Sequence, residues 1–250
     1  MGAVSDAVLD TDELWRIVDQ ERGSLADLLE GLGPEEWETR TRCGDWRVRD
    51  VAAHLTIAAR FSYGQVVREM VRARGDWNRM IHDSAVREAS LPVSEIVANL
   101  RSTIGSRRLA PTTSPHEPLL DLLVHGQDIA LALHRDRPVP PRAARDAAER
   151  VWTMRFPPRP WPLPKARLVA TDVAWARGEG QEVHGPIAAL LLLLTGRPQA
   201  AAEWAERTGE PWTGVTAPRD GARQGRVPKG HIGVRARLLV RPARRVLWRP

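Results

Sequence analysis

Apolar residues recur at helical spacing through most of the chain. Leu14, Val18, Leu25, Leu28, Leu29 and Leu32 fall on one face of a helix predicted over 12–32, with Thr11 or Asp12 placed to cap it. "GLGPEEW" (31–37) closes that helix on glycine. It then starts a short helical turn with Pro34 first and Glu35 and Glu36 behind it. After a loop, "TRTRCGDW", the spacing predicts a long helix from about 48 to 73, with Val51, His54, Leu55, Ala58, Phe61 and Gln65 along one stripe. A polar stretch with Gly75 interrupts, and helices follow over 92–104 and 114–133. Four helices joined by loops predict a bundle of about 135 residues.

A different pattern begins beyond the linker-like "RDRPVPP" (135–141). A helix is predicted over 142–154. "FPPRPWPLP" (156–164) holds five prolines in nine residues and excludes regular structure. Residues 165–178 alternate in the manner of a strand, "GEGQEVHGP" reads as a turn, and helices follow over 186–196 and 197–209. The expected fold is therefore mainly α. A four-helix bundle (1–138) precedes a small α/β unit (139–214). Residues 215–250 lack a core pattern and are expected to be a disordered tail.

Charge sharpens this division. The whole chain carries +6, but residues 215–250 hold ten Lys/Arg against one acid, so residues 1–214 carry −3. A body of that charge does not suggest nucleic-acid binding. Cys43 is the one cysteine, which excludes an internal disulfide and a Cys-rich zinc finger and suits a reducing cytoplasm. The N-terminal segment does not read as a signal peptide, and "IAALLLLL" (187–194) is far short of the roughly 20 residues a membrane span needs.

Candidate chemistry gathers on two of the bundle helices. In "LLDLLVHGQDIAL" (119–131), Asp121 and His125 stand at i and i+4 and point the same way. His54 lies on the inward stripe of another helix. Two imidazoles and one carboxylate are a three-ligand set for zinc with a fourth position open, and would also suit iron, nickel or manganese. The same spacing also describes a plain buried Asp–His ion pair, and spacing alone does not decide between them. Asp128, one turn on, could orient His125 or make an ordinary polar contact. Cys43, beside a helix start, is a further candidate for chemistry. His82, His116, His134, His184 and His231 fall in predicted loops or at helix ends and read as solvated.

"TRCGDWRVRDVAAHL" (41–55) and "LLDLLVHGQDIALAL" (119–133) resemble two signatures of the mycothiol-dependent maleylpyruvate isomerase-like family, within the DinB/YfiT-like metal-binding bundles. "LVATDVAWARGEGQEVHGPIAALLLLLTGR" (168–197) resembles that family's small, sterol-carrier-like C-terminal domain. The resemblance covers about residues 10–210 and leaves the tail outside it. It implies an antiparallel DinB-like four-helix bundle with a divalent metal, zinc foremost, held by His54, Asp121 and His125. The family's carboxylate is usually glutamate; the shorter Asp121 would draw the ion toward its helix or hold it more weakly. Mycothiol or a similar low-molecular-weight thiol is the implied cofactor. Arg197, in "TGR", falls where an arginine helps bind the acidic substrate. The activity this implies is a metal- and thiol-dependent isomerase or S-transferase acting on a small electrophile, in a cytoplasmic monomer or homodimer. The Arg- and Ala-rich composition suits a high-GC actinobacterium. The alternative is a non-catalytic metal-binding or partner-binding protein with a vestigial site.

Overall fold

The computed structural model describes residues 8–109, 113–154 and 165–214. The expectations for the proline-rich segment, the basic tail and His231 lie outside these residues. Asp10 caps the first helix, α1 (Thr11–Glu30), accepting from the Glu13 N–H at 2.8 Å. That is one residue before the expected cap. A short α2 (Pro34–Trp37) follows on the proline signal.

The helix expected over 48–73 is two helices, α3 (Val48–Arg60) and α4 (Tyr63–Arg72). Phe61 turns extended between them. Ser62 then restarts the helix with a reciprocal cap: its hydroxyl accepts from the Gln65 N–H, and the Gln65 side chain accepts from the Ser62 N–H at 2.7 Å. The polar stretch expected to be loop contains a further helix, α5 (Trp77–Glu88), capped by Asp76. It buries only Met80, Ser84 and Ala85, a stripe too narrow to announce itself by hydrophobicity. Next come α6 (Val93–Arg101) and α7 (His116–Ala132), close to their expected bounds.

The bundle closes as a ring. α1 packs between α6 and α7, and α3 packs on α6 and α7 while carrying α5 on its outer side. Leu14, Val18, Leu25 and Leu29 of α1 meet Val51 of α3, Ile96 and Leu100 of α6, and Leu119, Leu120 and Leu123 of α7 in one core. Each such fully buried side chain stabilises the fold by about 1.5–3 kcal/mol.

The C-terminal part is a small α/β unit. α8 (Pro141–Thr153) presents a face of Ala143, Ala144, Ala147 and Ala148 and packs on both α7 and α9 (Ile187–Leu194), so the core runs on from the bundle. The residues expected to form one strand and then a turn form three strands: β1 (Ala166–Ala170), β2 (Ala176–Gly178) and β3 (Gln181–Gly185). Their order is β2-β1-β3, with β1 antiparallel to β2 and parallel to β3. The β2–β3 connection depends on glycine: at Gly180, with φ 114°, a Cβ would lie 2.1 Å from the Lys165 carbonyl oxygen. α10 (Pro198–Thr208) packs on α9 and α7. No described helix is long and apolar enough to cross a membrane.

Candidate metal centre

Three pieces of backbone build the site: α3, α7 and the loop between α2 and α3. Arg40 and Arg47 pair across that loop as an isolated bridge. Inside it, Thr41 donates its N–H to the Trp46 carbonyl at 2.8 Å, and the Cys43 N–H donates to the Thr41 hydroxyl at 3.1 Å. Gly44, at φ 63°, makes the tight turn. The result points Cys43 and Trp46 inward. Asp50 then accepts from the Arg47 N–H at 2.8 Å and starts α3.

α3 carries His54 toward α7, where Asp121, His125 and Asp128 occupy successive turns of one face. The candidate ligand atoms of His54, Asp121 and His125 lie within 4.8 Å of one another. The two imidazole rings meet edge to face with centroids 5.1 Å apart. Trp46, 1% exposed, lies behind both, its ring 5.1 Å from His54 and 6.2 Å from His125. The three residues singled out by helical spacing are thus brought together.

Asp128 is fully buried and touches the far side of His125, its Oδ2 lying 2.9 Å from His125 Nδ1. That contact leaves Nε2 as the ring nitrogen available to a metal. The same carboxylate accepts two hydrogen bonds from Arg197, from Nε and Nη2, both at 2.7 Å. Arg197 also donates from Nη1 to the Thr195 carbonyl, and its Nη2 lies 3.8 Å from Cys43 Sγ. Cys43, His125 and Asp128 form a second cluster of candidate donors that shares His125 with the first. Nothing in the local sequence around Cys43 foretells this, because its neighbours come from 82 and 154 residues away.

The electrostatics follow from burial and these contacts. Burial opposes the ionised Asp128, but the cations of Arg197 and His125 outweigh it and hold the carboxyl far below the usual carboxylate range. Burial likewise opposes a charged His125. The Asp128 and Cys43 contacts overcome it and hold the imidazole well above the usual histidine range. Asp121 is pushed up to about 6, chiefly by burial, with Glu117 adding to it and His125 working against it. A donor set of two imidazoles and a carboxylate, one imidazole oriented by a second carboxylate, fits a divalent metal.

His54 and Asp121 line a cavity of about 390 Å³ bounded by α3, α4, α5 and α7. Arg197 is not among its lining residues, and its contacts commit it to Asp128 rather than to a ligand in the cavity. Of the other histidines, His82 sits within α5 instead of a loop, 3.0 Å from Asp83 with its ring 6.1 Å from that of Trp46. His116 begins α7, His134 follows it, and His184 lies in β3 beside Glu182.

Residues 18–119 match the family model described as the mycothiol maleylpyruvate isomerase N-terminal domain. The matched span includes His54 and stops short of Asp121 and His125. Among solved structures, the mycothiol-dependent maleylpyruvate isomerase superposes with a TM-score of 0.52 at 13% identity, covering 76% of this chain and 90% of that one. A histidine-to-alanine variant of that isomerase gives the same TM-score at 11% identity, with the same coverage. A search of curated proteins found no match. The resemblance carried by the signature segments stands, and the fold of a helical bundle with a small α/β unit is the fold of that isomerase.

Proposed function

We propose that this protein, similar over its bundle to the mycothiol maleylpyruvate isomerases, is a metal- and thiol-dependent isomerase or S-transferase for a small electrophile. One observation carries the reading: the donors of His54, Asp121 and His125 lie together, and two of them, His54 and Asp121, line a cavity, so the cluster is not sealed inside a closed core. A site sealed by a fourth protein ligand would serve structure alone, whereas one facing a cavity can admit an outside ligand. This favours the enzyme over the vestigial site.

His54, Asp121 and His125 would hold the metal, with zinc the first candidate for such a donor set. A bound divalent ion would lower the pKa of a coordinated thiol so that the nucleophilic thiolate prevails near neutral pH. Around it, the chain's own groups divide the work. Asp128 fixes the His125 ring and Arg197 fixes Asp128, so neither has to reorganise when a ligand arrives. Arg197 thereby serves as a positioning residue. The apolar cavity walls exclude water from the reacting groups.

The test is metal content of the purified full chain beside His54→Ala and His125→Ala, followed by thiol-dependent conversion of electrophiles. The expected result is near one equivalent of zinc in the wild type, lost in both variants together with turnover. A wild type that takes up no metal when zinc is offered would overturn the proposal.

A further inference from the structure

The cavity has a chemical character of its own. Apolar side chains, Leu55, Phe61, Trp77, Met80, Leu122 and Met154 among them, make most of its wall, with His54 and Asp121 set into it. Its volume is at the small end of the roughly 300–1,000 Å³ that ligand sites occupy, enough for one ring and a short chain.

Its polar groups are few, and most are already engaged. The buried guanidinium of Arg22 donates from Nη1 to the Thr103 carbonyl at 2.7 Å and the Ser106 carbonyl at 3.0 Å, with Asp19 at 3.2 Å. Glu117 is held by Arg150 and by the Ser114 hydroxyl. Arg108, an exposed residue, is the remaining cation among the described lining residues. Against it stand two wall carboxylates, Glu117 and Asp121. A ligand bearing two carboxylates would have to shed water from both and find a paired cation for each, and apart from a bound metal the described lining residues offer only Arg108.

We infer that the cavity takes an apolar electrophile, aryl or alkyl, with at most one negative charge, and that a dicarboxylate is a poor occupant. The word electrophile rests on the function proposed above; the apolar, weakly charged character rests on the cavity alone.

Equilibrium binding of two probes to the full chain tests this. Benzylideneacetone is a neutral aryl enone and maleate is a dicarboxylate. Titration calorimetry is run on zinc-supplied wild type and on His54→Ala, so that chelation of a metal by maleate is separated from occupation of the cavity. The enone is expected to bind at least tenfold more tightly than maleate in both proteins. Ala58→Trp, which narrows the cavity from α3, is expected to weaken the enone tenfold or more while zinc content and maleate binding stay as in wild type. Ile81→Trp, from α5, is expected to do the same should the first variant fold poorly. Maleate binding as tightly as the enone, or enone binding indifferent to both substitutions, would overturn the inference. Tight enone binding by a protein that holds no zinc and turns over nothing with a thiol would uphold the ligand class and remove the enzymatic reading. A zinc- and thiol-dependent enzyme that prefers maleate would do the reverse.

Discussion

Asp128 shows how much one buried carboxylate can organise. It orients a candidate metal ligand on one side and accepts a two-pronged arginine on the other. Asp128→Asn keeps the shape and removes the charge. It is expected to weaken zinc binding about 10–100-fold, because the partner that orients His125 is altered. It should also cost about 3–5 kcal/mol of stability, because Arg197 is left buried without its counter-charge. Chelator competition and chemical denaturation measure the two effects. Replacing Arg197 by Met in the same protein should recover part of the stability and none of the affinity. Protons compete for the same site. His125 is held protonated through neutral pH, so a metal must displace that proton, and zinc affinity should rise about tenfold per pH unit between pH 6 and 8. Below about pH 6 the dependence should steepen, because Asp121 must then lose a proton as well. A pH-independent affinity would contradict this assignment of ligands. At this scale the sequence was informative where contacts are local: Asp121 and His125 share a helix face, and His54 lies on an inward stripe. It was silent on Arg197 meeting Asp128 and Cys43, since no periodicity links positions 69 and 154 residues apart.

Among the helices, α4 and α5 are the pair that sequence patterning misjudged, and with α3 and α7 they bound the cavity. α4 is attached mainly to α5. Glu69, 3% exposed, accepts from Arg72 of its own helix at 2.7 Å and from Arg87 of α5. Glu69→Ala removes charge-assisted bonds of about 1.5–3 kcal/mol each in total effect on that contact, with the two arginines left partly solvated. The expected outcome is faster amide hydrogen exchange over 63–72, with α1 and α7 unchanged. Uniform acceleration through the bundle would mean that α4 is part of the global folding unit. The break before α4 was in fact written as Ser62-x-x-Gln65, a capping-box signature, but the apolar stripe on either side of it continues in phase and conceals the interruption. α5 was hidden for the opposite reason, since its buried stripe is three residues wide. The three strands were merged or taken for a turn because glycines at 178, 180 and 185 read as punctuation when two of them are strand ends.

For the whole molecule, bundle and C-terminal unit are joined by charge as well as by apolar packing: Arg142 of α8 donates to Glu13 of α1 at 2.6 Å, and Arg150 of α8 to Glu117 of α7 at 2.9 Å. Within the bundle, Arg137, just after α7, is 7% exposed and donates to Glu21 of α1 at 2.6 Å and to Ser24 at 3.0 Å, while its carbonyl accepts from Gln127. Arg137→Ala should cost about 3–5 kcal/mol by stranding Glu21, whereas replacing both partners with leucine should cost far less. Thermal denaturation of the single and double variants decides it; equal losses would show that packing, not the pair, holds the end of α7 on α1. The bundle and the α/β unit were both legible from sequence because each has its own hydrophobic rhythm. The Arg197 contact across them has none. It also carries a consequence for descent. The arginine that neutralises Asp128 belongs to the turn between α9 and α10, so the polar surroundings of a bundle ligand are inherited with a different part of the gene. A lineage that lost or exchanged the C-terminal unit would keep all three ligands yet acquire a stranded acid beside one of them. Selection would then favour a second change at position 128, and that covariation would mark which relatives still carry both halves as one working ancestor joined them.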